Sequence, residues 1–514
     1  MTFRKWSLWF VAICFIFSFF SVSVHAQTSQ VIRIYLDGIW LKGDVDPYID
    51  PKVNLTMVPL RIVSEGLGAK VTWTPKSKMV TIQRSGTVIT MIVGQKTVTV
   101  NGKKTSLQAP AVLKSSRVMV PLRFVSETLG LQVKWNAATK WIQMISKPGQ
   151  EIKGAWVSTV FHLDWPSSQS YGQKEVQVQQ YVTMLDELQS MGMNAVYVQV
   201  RPAADAFYPS AFAPWSKFLT GTQGQNPGYD PLAFMVEETH RRGMEFHAWF
   251  NPFRANTGSA SETFDAKHVA VRHPEWMVTA AGGKMYINPG IPAARQEIID
   301  AIMEVVRGYD VDGVHLDDYF YPSSGNFDDQ SAFLAYNPKQ IANLDDWRRD
   351  NINEFVRTLG QSIHAVKKEV KFGISPFGVW RNQSADPTGS ATNAGITAYD
   401  DMHADVRTWI RNNWIDYIMP QIYWSFSYSN ARYDVLVDWW AREVDGSNVK
   451  LYIGHAPYKL GTSEAGWQTA DEIVRQLQYN ETRPQVRGDV FFSAKDLRRN
   501  PLDIIKALKA YYKV

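Results

Sequence analysis

The chain has 514 residues, 45% of them hydrophobic and 20% charged. That length and balance exclude a lone peptide-binding module and a disordered chain, and they allow more than one buried core. A net charge of +5, spread without a long Lys/Arg run, is too mild to point to nucleic acid.

The first 26 residues have the pattern of a secretory leader. Arg4 and Lys5 form a positive end, Trp6 to Val22 an apolar run, and Val24, His25 and Ala26 a small-residue cleavage site. Cleaved or kept as an anchor, the leader predicts that the rest of the chain lies outside the cytoplasm, secreted or associated with the cell envelope. The single cysteine, Cys14, falls within it, so the remainder forms no disulfide and no thiolate metal site. No later apolar stretch reaches the ~20 residues of a membrane span.

Residues 58 to 82 read VPLRIVSEGLGAKVTWTPKSKMVTI and residues 120 to 144 read VPLRFVSETLGLQVKWNAATKWIQM, an internal repeat at an offset of 62. Each copy predicts a Val-Pro-Leu-Arg entry, a short helix ending at Leu-Gly and an alternating strand around Trp73 or Trp135. Between them Gly86 to Val100 alternates as a strand, and Asn101-Gly102 signals a two-residue hairpin. Residues 31–146 are therefore expected to form a small β-rich α+β module. They resemble the repeat of the copper amine oxidase N-terminal domain, which implies an envelope-attachment or spacer role. The resemblance implies no copper, because this segment has neither His nor Cys.

Lys147-Pro148-Gly149-Gln150 is a breaker-rich linker. From 152 to 514 short β-branched or aromatic runs begin near residues 154, 194, 245, 312, 371, 416, 450 and 489. Helical stretches alternate with them: Val176 to Met191, Pro231 to Arg242, Ala293 to Gly308, Trp347 to Val366, Val406 to Asn413, Tyr433 to Glu443 and Ala470 to Tyr479. Eight such units predict an α/β fold, a (β/α)8 barrel.

Period-two alternation then assigns faces. In the second strand Val196, Val198 and Val200 face the helices, leaving Tyr197, Gln199 and Arg201 inside. In the third, His247, Trp249 and Asn251 point inward; in the fourth, His315, Asp317 and Tyr319; in the sixth, Gln421 and Tyr423. The eighth, with Val490 and Phe492 outward, presents Ser493 and Lys495. The polar members gather at the C-terminal strand ends, where barrels build their sites.

Asp317 is the central carboxylate of this set, suited to act as nucleophile, general base or electrostatic stabiliser. Glycoside hydrolysis ordinarily needs a second acid. Asp205, on the loop after the second strand, reaches over the mouth and is the preferred acid/base. Strand parity turns the other candidate, Asp318, toward the helices. Asp164, Asp400 and Asp401 fit structural roles better. His247 and His315 lack a metal-binding spacing and are expected to bond substrate hydroxyls. Trp165, Trp215, Trp380 and Trp424 follow strand ends, where ring faces stack on sugars. Nothing in the sequence calls for a cofactor or a metal.

The segments RPAADAFYPSAFAPWS (201 to 216), FHAWFNPFR (246 to 254), YINPGIPAAR (286 to 295), DGVHLDDYFYP (312 to 322), YDDMHADVRTWI (399 to 410) and IDYIMPQIYW (415 to 424) resemble the bacterial glycosyl-hydrolase-like family ten. The resemblance implies a barrel glycosidase, and its characterised relative cleaves peptide-free strands of peptidoglycan. It supports Arg201, Asp205, Asn251, Asp317 and Asp318 as site residues without assigning acid and nucleophile. The fourth-strand motif is also similar to the DGxDxDxE strand of chitinase-like families, but Tyr319 occupies the position of the catalytic Glu. The polysaccharide partner is expected to be cell-wall glycan; the alternatives are another extracellular polysaccharide, or a carbohydrate-binding protein without catalysis.

Overall fold

The computed structural model describes residues 32–36, 39–66, 69–84, 87–100, 102–128, 131–136, 139–146, 152–258, 262–317, 320–323 and 325–514. The leader and the linker at 147–150 lie outside these residues, as do Asp318 and Tyr319.

Eight strands form one closed sheet: β1 (Ile152–Val157), β2 (Ala195–Arg201), β3 (Glu245–Phe250), β4 (Gly313–Leu316), β5 (Lys371–Ile374), β6 (Tyr417–Ile418), β7 (Lys450–His455) and β8 (Val486–Phe491). Every neighbouring pair is parallel, and β8 returns to β1 through Gly154 opposite Val490. The principal helix after each strand is, in order, α1 (Lys174–Ser190), α2 (Pro231–Arg241), α3 (Pro292–Gly308), α4 (Leu344–Val366), α5 (Val406–Arg411), α6 (Tyr433–Val444), α7 (Asp471–Glu481) and α8 (Ile504–Tyr512). Three of them start where a short polar side chain satisfies a free N–H of the first turn: Asp230 accepts from Ala233, Asn343 from Asp346 and Asp405 from Thr408.

The outward strand residues Val196, Val198, Phe246, Ala248, Val314, Leu316 and Ile418 are buried in the core shared with the helices. Fully burying a Val, Leu or Phe contributes about 1.5–3 kcal/mol each, which holds the alternation in register. Inside the barrel a smaller cluster contains Trp156, Tyr197, Trp249, Tyr417, Tyr452 and Val490.

Two expectations about facing are corrected. Val490 fills the interior and Phe491 joins the helix layer, so the phase of β8 is the reverse of that predicted. Three successive apolar residues, Val490-Phe491-Phe492, give no polar side chain to fix the phase. Ser493 and Lys495 instead serve the loop, the Ser493 hydroxyl and the Lys495 N–H both donating to Asp164. In β2 the ladder with β3 slips between Gln199 and Arg201. This bulge puts Arg201 on the same side as Val200.

In the N-terminal module the two repeat copies meet through equivalent residues. Met57, Val58 and Pro59 pair antiparallel with Pro121, Val120 and Met119, so a local twofold passes between Val58 and Val120. Each copy continues into a short helix, Leu60–Gly66 or Leu122–Thr128, and then a hairpin, Lys70–Thr74 with Met79–Arg84 or Leu131–Asn136 with Trp141–Ser146. The stretch read as one strand from Gly86 to Val100 is two, Thr87–Ile92 and Thr97–Val100, folded back at Gly94, whose φ is +90°. Thr97–Val100 and Lys103–Ser106 then pair antiparallel, Val100 opposite Lys103, with Gly102 at φ +79°; Asn101, the other residue of the expected turn, lies outside the described residues.

Candidate active site

The C-terminal strand ends open into a cavity of about 460 Å³ that Asp317 lines. With Val314 and Leu316 committed to the helix layer, His315 and Asp317 turn to the axis. Asp317 is 6% exposed, and its Oδ2 accepts from Asn251 Nδ2. Asn251, just past β3, in turn accepts at Oδ1 from Gln199 Nε2.

The direction of these bonds is fixed from the far end. Gln199 Oε1 accepts from the backbone N–H of Thr159 at 3.0 Å and of Val160 at 2.9 Å, and from the Ser158 hydroxyl at 3.1 Å. A backbone N–H only donates, so Gln199 has one orientation, with its Nε2 toward Asn251. Asn251 is then oriented as well, and the Asp317 oxygen facing it must accept. A donor aimed at that oxygen favours the ionised carboxylate. Three elements thus converge on one carboxylate through two buried amides.

The walls are mainly apolar, with the aromatic rings of Trp156, Phe161, Trp249, Phe377, Tyr423 and Phe492 among them, and Arg254, Ser375 and Gln421 supply polar edges. Gln421 Nε2 donates to the Ser375 carbonyl at 2.9 Å. Tyr423 meets Tyr458 edge-on, ring centroids 5.9 Å apart. Phe161, at φ +56°, is 59% exposed, a flat apolar face presented to solvent at the cavity edge.

Beneath the floor His247 and His315 are joined in one hydrogen-bond relay. The Trp156 indole N–H and the Ser375 hydroxyl both reach His315 Nε2 at 3.1 Å. The indole can only donate, so Nε2 accepts and the proton sits on Nδ1, 3.1 Å from the Tyr417 hydroxyl. That hydroxyl lies 3.3 Å from His247 Nδ1, and His247 Nε2 donates to Glu245 at 3.0 Å. Burial, and then the charge of His247, hold the His315 pKa well below its usual value. Burial raises Glu245, but His247 and Lys371 outweigh it and hold the carboxyl down. Both histidines are fully buried and absent from the cavity lining, so the expectation that they bond substrate hydroxyls is corrected. Their ring nitrogens are committed to the barrel interior.

Other expected residues also stand elsewhere. Arg201, turned outward by the bulge, donates from Nη1 to the Pro252 carbonyl at 3.3 Å. Burial lowers its pKa, against Tyr208 and Asp205, which raise it. Asp205 is 2% exposed and accepts from the Ala203 N–H at 2.9 Å; it closes a turn near Arg201 rather than overhanging the mouth. Trp380 is buried, stacked on Trp439 at 5.5 Å. Trp165 donates to the Gln177 carbonyl within the core. Trp215 lines a different cavity, formed by the segments that follow β2 and β3. Trp424 packs against Phe377, one residue behind the cavity wall. Asp318 and Tyr319 lie outside the described residues. Trp156, Phe161, Arg254, Ser375, Phe377 and Tyr458 were not singled out from the sequence as site residues. Parity did carry the signal for Trp156, which lies between the outward-facing Ala155 and Val157.

The family model of the glycosyl hydrolase-like 10 proteins matches residues 151–469, and that of the copper amine oxidase N-terminal domain matches residues 35–144. This chain belongs to the glycosyl hydrolase-like 10 family. Glycosyl hydrolase YngK of Bacillus subtilis is 51% identical over 364 residues, 70% of this chain and 71% of that protein. Glycosyl hydrolase DigH of Escherichia coli K12 is 39% identical over 413 residues, 76% of this chain and 93% of that one. Among solved structures, the PgaB (BpsB) glycoside hydrolase domain of Bordetella bronchiseptica aligns at 11% identity and a TM-score of 0.47, covering 70% of this chain and 99% of that one. As a member of the family this protein is a glycoside hydrolase with a (β/α)8 catalytic barrel.

Proposed function

We propose that this glycoside hydrolase acts outside the cytoplasm on cell-wall glycan rich in N-acetylhexosamine, cleaving strands from which the peptides have been removed. The observation that carries the reading is Asp317, a carboxyl group that accepts from Asn251 in a cavity with several aromatic walls at the barrel mouth. Aromatic faces stack on pyranose rings, and a fixed carboxylate stabilises the positive charge that develops at the anomeric carbon. Because the Asn251 donor favours the ionised form, Asp317 takes the nucleophile or stabiliser role. The proton donor is then a second carboxyl, and Asp318 is the candidate adjacent in sequence. The leader-like N-terminus, and the resemblance to a family with a characterised relative that cleaves peptide-free strands of peptidoglycan, support an extracytoplasmic substrate.

The test is incubation of the chain and its Asp317→Asn variant with intact peptidoglycan, amidase-stripped strands and chitin oligomers, with mass spectrometry of the soluble products. The expected result is release from stripped strands only, lowered on the order of a hundredfold or more in the variant. Release from chitin oligomers alone moves the substrate to another N-acetylhexosamine polymer. No product from any of the three, with binding retained, leaves a carbohydrate-binding barrel.

A further inference from the structure

Among its described lining residues the cavity holds one acid, Asp317, and one cation, Arg254. Arg254 follows Asn251 by three residues on the loop after β3. Its Nε donates to the Pro202 carbonyl at 2.7 Å, which anchors one edge of the guanidinium. Other arginines of the barrel end on carboxylates: Arg348 on Asp329, Arg381 on Asp400, Arg407 on Glu443. Arg254 makes no ion pair among the described residues, and none joins it to Asp317. The two charges nonetheless act within one neighbourhood. Burial raises the pKa of Tyr286, and on that background Arg254 lowers it and Asp317 raises it.

Stacking on aromatic walls and bonding of hydroxyls need no cation, and burying an unpaired guanidinium beside a substrate is unfavourable unless the substrate answers it. A guanidinium anchored at one edge presents the other as a fork for a planar anion. We propose that Arg254 sets the specificity of this cavity for charge, receiving the carboxylate of a sugar beside the scissile bond. The proposal rests on the reading of this cavity as glycan-cleaving and adds the residue that reads the charge of the glycan. Two sources have this chemistry: the lactyl ether acid of a muramic-type sugar and the C6 acid of a uronic sugar. A peptide attached to the lactyl acid through an amide removes its charge, so the same cation would favour stripped strands over peptide-bearing ones.

The full chain is tested on three soluble substrates: amidase-stripped glycan strands, the same strands with their carboxylates coupled to methylamine, and polyglucuronate. A charge-assisted contact of this kind predicts that kcat/KM on acidic strands exceeds that on amidated ones about tenfold or more. Arg254→Gln should bring the ratio near one, and Arg254→Lys should restore part of it. Equal turnover of acidic and amidated strands by the unaltered chain overturns the proposal, whatever the variants do. So does an unchanged ratio in Arg254→Gln. Faster cleavage of polyglucuronate than of stripped strands keeps Arg254 as the carboxylate reader and assigns the uronic source. Cleavage of none of the three overturns the glycan-cleaving reading together with this one, and is thereby distinguished from equal turnover.

Discussion

At the scale of single residues, Gln199 governs Asp317 from two side chains away. Gln199→Glu keeps the acceptor for the Thr159 and Val160 N–H groups but removes the N–H given to Asn251 Oδ1. Asn251 then satisfies itself by turning its amide, which presents an oxygen to Asp317 and withdraws the donor. Turnover of stripped glycan should fall about 10–100-fold, and the acid limb of the kcat/KM profile should move to higher pH, because the ionised carboxylate has lost its donor and gained a negative neighbour. A slower variant with an unmoved acid limb would mean that Gln199 only supports the fold. His315 permits a second prediction with a definite sign. It is neutral in the folded chain, with a pKa far below 6.5, so below about pH 6.5 the unfolded chain takes up a proton that the folded chain refuses, and stability drops with pH. His315→Gln removes this contribution. Between pH 7.5 and 6 the unaltered chain should lose about 0.8 kcal/mol more stability than the variant, measured by urea unfolding at the two pH values. Equal losses would mean that His315 titrates normally in the fold.

At the scale of elements, the sequence was legible wherever one face of a strand or helix is apolar and the other is not. Seven of the barrel helices stand within a few residues of the stretches their periodicity marks, and the inward set Tyr197, Gln199, His247, Trp249, His315 and Asp317 follows from outward valines, leucines and phenylalanines. Legibility failed where that contrast was missing or where the backbone changed phase. Val490-Phe491-Phe492 is apolar on both faces, so nothing local selects its phase. The bulge before Arg201 is a property of the β2–β3 ladder, and two-residue counting along β2 carries no trace of it. A helix at Ile504–Tyr512 was not expected, although its buried Ile504 and Leu508 lie four residues apart on one face. The site was less legible than the fold. An inward side chain can line the cavity, as Gln199 does, or sit beneath its floor, as His247 and His315 do. That distinction is one of height along the barrel axis, which alternation does not encode. Arg254 and Phe161 lie on loops, where no period assigns a direction.

At the scale of the whole molecule, the buried side chains divide between two sets of cores. One runs from Ile34 to Met144 and the other from Ile152 to Leu508, with no residue common to both. Each set closes its own sheets, the module's around the local twofold and the barrel's around the axis, so each is expected to unfold cooperatively by itself. Calorimetry of the full chain should show two transitions, and a chain lacking residues 31–146 should retain the one assigned to the barrel. A single transition, or a shortened chain that fails to fold, would mean that the barrel depends on the module. The module's surface suggests its use. Trp40 is 45% exposed, with Arg33 and Lys42 over its ring at 5.1 and 5.7 Å, and Trp135 is also exposed, beside Lys140. Exposed indoles flanked by cations are compatible with adhesion to an anionic glycan mesh. If the module holds the enzyme to its polymer, its removal raises no barrier in the chemistry but lowers the enzyme's local concentration at an insoluble surface. The shortened chain should therefore match the full chain on soluble stripped strands and fall behind, roughly tenfold, on insoluble stripped sacculi at equal enzyme. Equal rates on both forms would reduce the module to a spacer, and a loss on soluble strands would place part of the module in the catalytic reaction.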